Sequence, residues 1–159
     1  LTGADMNVIH SHKRPLKNGI DYGYVGDVDH VNASKLEQLL NMGITPILAP
    51  LTHDGEGHML NTNADTIAAE TAKALANDFD VTLVYCFEHA GVLTNPDDES
   101  SVITSISHSS FEQLKADGIV SGGMLPKIEN SLAAVSAGVS RVIITRADKI
   151  GSNEGTVIA

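Results

Sequence analysis

Tryptophan is absent from this chain of 159 residues, cysteine occurs once, and aromatic residues make up only 4%. The core must therefore come from Ala, Val, Ile and Leu, within a hydrophobic fraction of 42%. The lone Cys86 excludes an internal disulfide. Set in the apolar run "VTLVYCF", it reads as a small buried core residue rather than a reactive thiol. Positive charge is also scarce. Ten basic residues face twenty acidic ones, a formal charge of -10, and a field of that sign repels phosphate backbones and anionic lipid. Nucleic acid and membrane surfaces are thus poor partners, whereas an anionic small molecule can bind where a few local cations and backbone amides receive it. No apolar run approaches the roughly 18 residues of a membrane span, and no signal peptide is visible. The chain is expected to be cytoplasmic. It is about one domain long, without repeats, low-complexity tracts or a linker, and its start at Leu1 suggests a fragment or a product whose front has been lost.

What is present reads as alternating strands and helices. Two extended runs flank Asn18-Gly19, a pair suited to a tight hairpin turn. Asn32 can cap a helix over "ASKLEQLLNM" that Gly43 stops. "ITPILAPL" reads as a buried strand, "HDGEG" as a turn and "HMLNTN" as a short strand. Ala64, Ala68, Ala72 and Ala76 give the next helix a smooth face for a sheet. "DVTLVYCF" and "RVIIT" read as core strands, and "SSFEQLKADG" and "KIENSLAAVSAG" as helices. "NPDDES" is a solvated acidic loop, and "GDVDH" a strand-end turn. This order implies an α/β/α sandwich with a largely parallel sheet.

Two stretches can carry chemistry. In "LNTNAD" a period of two puts Asn61 and Asn63 on one face of a strand end, and Asp65 follows where a helix begins and its amides are unpaired. Asparagine donates and accepts, so the pair can grip a carboxylate or amide ligand; the competing reading is that Asn63 or Asp65 caps the helix. In "SGGMLPK", Gly122 and Gly123 precede a helix start with Lys127 close behind, a way to receive an anion, although the Walker spacing is absent and a plain loop-to-helix junction fits equally well. The seven histidines show no metal pattern. His53 and His58, beside Asp54 and Glu56, can be drawn as a metal site, but exposed turn residues are the favoured reading, and no metal ligand is expected.

Taken in order, "TGAD", "DYGYVGDV", residues 44–75, residues 118–142 and the terminal "GTVI" resemble the acetylglutamate kinase branch of the amino acid kinase family. "NxNAD" followed by "GGMxPK" is far more specific than either alone. The resemblance implies transfer of the γ-phosphoryl of ATP, as its Mg²⁺ complex, to the side-chain carboxylate of an N-acylglutamate in arginine biosynthesis. It places Asn61 at the acylglutamate, with Asn63 in support. Asp65 falls on the aspartate that organises the catalytic lysines, Lys127 on a lysine reaching the ATP phosphates, and Gly122 and Gly123 on the same nucleotide-side segment. Residues 1–65 would be the remainder of the acylglutamate-side half and 66–159 the nucleotide-binding half.

Departures from the family pattern set further expectations. The "KxGG" and "HGGG" segments are not in this sequence, so the chain is expected to be truncated at the front and inactive alone. "FEHAGV" puts Glu88 where the family carries an aspartate near the nucleotide, on a longer arm. Arginine feedback is unsupported. Homodimers are common in the family, but the oligomeric state is left open. A sister kinase of the same fold and a non-catalytic nucleotide-binding or assembly module are the alternatives, the first opposed by "LNTNAD".

Overall fold

In a computed structural model that describes residues 1–152 and 154–159, the chain forms two compact units, Leu1–Leu75 and Ala76–Ala159. The first contains β1 (Ile9–Lys13), β2 (Gly26–Val31), α1 (Ala33–Asn41), β3 (Leu51–His53), β4 (Met59–Asn61) and α2 (Ala64–Leu75). Its four strands lie in the order β2-β1-β3-β4. The hairpins β1–β2 and β3–β4 are antiparallel, whereas β1 and β3 are parallel. At the tip of the first hairpin region Asn18 and Gly19 take φ of 54° and 77°, and Lys17 and Ile20 exchange both backbone hydrogen bonds. That is the primed two-residue turn the Asn-Gly pair favours, because both positions need positive φ.

The second unit contains β5 (Thr82–Phe87), β6 (Ser105–Ile106), α3 (His108–Ala116), α4 (Met124–Ser136), β7 (Arg141–Arg146) and β8 (Thr156–Ile158). Its order is β5-β7-β8-β6, with β5–β7 and β6–β8 parallel and β7–β8 antiparallel. The α/β class is as expected. Parallel pairing occurs where a crossover joins strands, and the short returns add antiparallel pairs, so both sheets are mixed.

Each unit has its own apolar interior. Val8, Ile9, Leu36 and Ile67 form the first, with Val28, Val31, Leu48 and Leu75 packed against them. In the second, Ile106, Ile128, Leu132, Val142, Ile144 and Ile158 are buried. Full burial of such a side chain is worth about 1.5–3 kcal/mol; the second core also takes in two aromatic residues, Tyr85 and Phe111.

Several local expectations are corrected. Residues 44–50 form no strand, and Ile47 is 81% exposed. Pro46 and Pro50 remove two N–H donors, which a ladder cannot replace; residues 47 and 49 instead hydrogen-bond to Leu1. "GDVDH" is β2 itself rather than a turn. Of the four alanines expected to face a sheet, only Ala72 is buried, alongside Ile67 and Ala69. Residues four apart drift by about 40° around the axis, and the larger Ile67 sets which side turns inward. Asn32 does begin α1, but its side chain accepts from the Ser34 hydroxyl at 2.9 Å and caps no backbone amide.

Candidate functional site

Strand β4 reaches its polar end by strict alternation. Leu60 and Thr62 point inward, and the Thr62 hydroxyl lies 2.9 Å from that of buried Thr52. Asn61 and Asn63 are therefore exposed on the opposite face. The Asn61 backbone is fixed, its N–H donating to the Tyr24 carbonyl at 2.8 Å. Its side-chain amide makes no hydrogen bond within the described residues, so both a donor and an acceptor are presented on a rigid strand end.

Asn63 has a different position. Its Oδ1 accepts the Thr66 N–H at 3.0 Å, and its carbonyl accepts from Ile67 N–H. This is the N-cap of α2, satisfying an amide that the helix geometry leaves unpaired. Asp65 follows in the first turn, half-buried, where a carboxylate is stabilised by the positive end of the helix. The three polar residues of "NTNAD" thus sit together at one strand-to-helix junction, one presenting its amide, one capping and one charging the helix start.

In the second unit the corresponding junctions follow β5 and precede α4. Lys127 lies in the opening of α4, and its ammonium sits 4.1 Å from the centroid of the Phe87 ring. Phe87 is the last residue of β5, so the helix delivers its lysine to the carboxyl end of a parallel strand, next to exposed Glu88. In open α/β sheets ligands bind at such strand ends. Gly122 has φ of 55° and Gly123 stands at the N-cap, with no atom within 4 Å of a Cβ built on either. The backbone here is open to a ligand's approach, which a glycine pair permits.

The loop after β5 is held tightly. Val92 N–H donates to the Thr156 hydroxyl at 2.8 Å, and a Cβ on Gly91 would come within 2.7 Å of both that oxygen and Val102 Cγ1. His89 Nδ1 meets Glu99 at 2.5 Å. A cavity of about 180 Å³ opens between this loop and the start of α4, lined by His89, Gly91, Val92, Ser121 and Met124 among others. Of the expected residues, Lys127 reaches Phe87 beside Glu88, and Gly122 and Gly123 lie between the lining residues Ser121 and Met124 at the start of α4.

Other features were not legible beforehand. Cys86 is exposed, against the expectation of a core residue, because β5 turns Leu83 and Tyr85 inward and Thr82 and Cys86 outward. Arg14 grips Asp27 at 2.6 Å, which holds that carboxyl below its ordinary value. His30, His10 and His53 stand side by side across β2, β1 and β3, with ring centroids 5.4 Å apart for each neighbouring pair. Their adjacency depends on strand register, which no local pattern encodes.

The model of the amino acid kinase family matches residues 1–146. An acetylglutamate kinase from Bacteroides thetaiotaomicron is 62% identical over 158 residues, covering 99% of this chain and 61% of that protein. A Streptococcus mutans protein of solved structure superposes with a TM-score of 0.78 at 36% identity, over 96% of this chain and 57% of that one. The N-acetylglutamate synthase of Neisseria gonorrhoeae, solved with coenzyme A and L-arginine, shares the fold at a TM-score of 0.82 and 24% identity, over 100% of this chain and 37% of its own. The chain thus spans about 61% of the length of the Bacteroides relative. No described helix is long and apolar enough to cross a membrane. With a model match over nearly its whole length and both of its polar junctions at strand ends, the chain belongs to the amino acid kinase family.

Proposed function

We propose that this chain supplies the nucleotide-binding part, and the asparagine-bearing strand end, of a cytoplasmic phosphotransferase that phosphorylates N-acetylglutamate or another N-acylglutamate in arginine biosynthesis. The observation that carries the reading is the 62% identity to an acetylglutamate kinase across 99% of the chain. On this reading Ala76–Ala159 takes ATP as its Mg²⁺ complex, and Leu1–Leu75 contributes to holding the acylglutamate.

A side-chain carboxylate oxygen of the substrate attacks the γ-phosphorus in line. The new P–O bond forms as the bond to the bridging oxygen breaks, and ADP leaves with that electron pair. The attacking carboxylate is already ionised, so no proton need be removed. Such a reaction asks the protein mainly for positioning and for positive charge at the transferring oxygens. Lys127 supplies that charge, the Gly122–Gly123 backbone receives phosphate oxygens, and Glu88 lies on the nucleotide side. Asn61 holds the acylglutamate through its free amide, Asn63 supports it as the cap of α2, and Asp65 takes the part of the organising aspartate. Removing one stabilising group from such a site costs about 10²–10³ in rate.

Photolabelling with 8-azido-ATP and peptide mapping tests the assignment. Label confined to residues 88–96 and 119–127, and displaced by MgADP, is the expected result. Label elsewhere, such as on the cationic segment 13–17, would exclude this end of the second unit as the nucleotide site.

A further inference from the structure

The turn between β3 and β4 carries a second constellation, separate from the phosphoryl-transfer residues. Asp54, Glu56 and His58 each turn one ligand atom toward a common point, all within 4.8 Å of one another. Asp54 Oδ2 and His58 Nδ1 are already 2.7 Å apart. The carboxylate is fixed before any ligand arrives, since its Oδ1 accepts the N–H groups of Glu56 at 2.8 Å and His58 at 3.1 Å. Gly55 and Gly57, with φ of 77° and 98°, supply the left-handed bends that bring alternate residues to one side.

Two properties separate this group from an ordinary acidic turn. The first is the imidazole, which changes the donor set from oxygen alone to two carboxylates and one nitrogen. The second is the lack of competing cations, as neither Asp54 nor Glu56 pairs with a Lys or Arg within the described residues. The neighbouring His53 is committed elsewhere. Its Nδ1 accepts the Gly55 N–H at 3.1 Å and its Nε2 meets Asn7 Oδ1 at 2.8 Å, which buttresses the turn and leaves three ligands. His10 Nε2 adds a bond to the Asp54 carbonyl at 3.0 Å.

We propose that Asp54, Glu56 and His58 form a binding site for a divalent cation of borderline softness. Mixed imidazole and carboxylate donors suit zinc, cobalt and similar ions, whereas calcium and magnesium prefer oxygen throughout. His58 immediately precedes β4 (Met59–Asn61), so the ion would clasp the hairpin whose far end presents Asn61. It would take the place of the direct Asp54–His58 contact, with His58 binding through Nδ1.

Co²⁺ titration of the whole chain, followed by its d–d absorption and by calorimetry, is the test. One equivalent is expected to bind, with affinity reduced at least about tenfold in both Glu56→Gln and His58→Gln and unchanged in His12→Gln. His12 is the control because it belongs to the separate group with His10 and Asp29. Glu56 is exposed and its side chain makes no hydrogen bond within the described residues, so its replacement leaves folding intact even if His58→Gln does not. Absence of binding, binding indifferent to Glu56→Gln, or binding abolished by His12→Gln would each overturn the assignment.

Discussion

Replacing Asn63 by alanine isolates a role that sequence alone left open between ligand contact and helix cap. The side chain accepts the Thr66 N–H at 3.0 Å, an amide that the start of α2 leaves without a helical partner. Removing a cap of this kind costs about 1 kcal/mol, and glycine in its place only a few tenths. For a chain of this length, 1 kcal/mol lowers the melting temperature by about 2–4 °C. Aspartate keeps the acceptor and adds a charge favoured at the helix start by about 0.3–1 kcal/mol, although Asp65 nearby offsets part of that gain. The expected order in thermal and urea denaturation is therefore wild type and Asn63→Asp close together, Asn63→Gly slightly lower and Asn63→Ala lowest. If Asn63→Asp were as destabilised as Asn63→Ala, or Asn63→Ala were indistinguishable from wild type, the cap would not be what holds this junction.

Gly91→Ala should destabilise the chain by about 1–3 kcal/mol through overpacking, because the added methyl would meet Thr156 Oγ1 and Val102 Cγ1 at 2.7 Å; urea denaturation measures it. Ile128→Ala, at a fully buried position, should cost about 2–5 kcal/mol in the same assay, and a loss below about 1 kcal/mol would place Ile128 outside the core. Acid stability gives a further check. Asp27 is held below its ordinary 3.8 by the hydrogen-bonded Arg14 guanidinium, against a smaller opposing effect of burial. A carboxyl depressed in the folded state contributes stability that is complete above the unfolded value and is lost as pH falls through the folded one. Wild type should therefore lose stability relative to Arg14→Gln as pH drops below about 3.8, with the difference between them constant near neutrality.

The parts of the fold that could be read in advance were those encoded by neighbours in sequence. Asn18-Gly19 makes its turn because both residues tolerate positive φ. Gly43 and Gly138 end α1 and α4 with φ of 75° and 100°; α3 was legible as a helix over "SSFEQLKADG", though it opens earlier, with Ser107 as its cap in a reciprocal bond with Ser110. The exposed pair Asn61 and Asn63 followed from strand alternation alone. Nonlocal pairing was less legible. "ITPILAPL" has the composition of a strand, yet two prolines leave it without the donors for a ladder. Cys86 looked buried because its run is apolar, whereas its direction depends on which face of β5 is covered. His53, Asp54, Glu56 and His58 can be drawn as a metal site from spacing, but exposed turn residues are the favoured reading of a hairpin tip; the approach of Asp54, Glu56 and His58 to one another depends on the left-handed glycines between them. Motif order is what proposes Lys127 and the glycine pair for the nucleotide side; the fold itself sets the Lys127 ammonium 4.1 Å from the centroid of the Phe87 ring at the end of β5.

Calorimetric titration of the 159-residue chain with MgADP, beside a Lys127→Ala variant whose melting temperature matches wild type, tests the central claim most directly. Saturable binding to the wild type, weakened about tenfold to a hundredfold in the variant as expected for loss of one phosphate-facing charge, is the predicted result. Equal affinity of the two folded proteins, or no binding by the folded wild type, would contradict the placement of the nucleotide at the opening of α4.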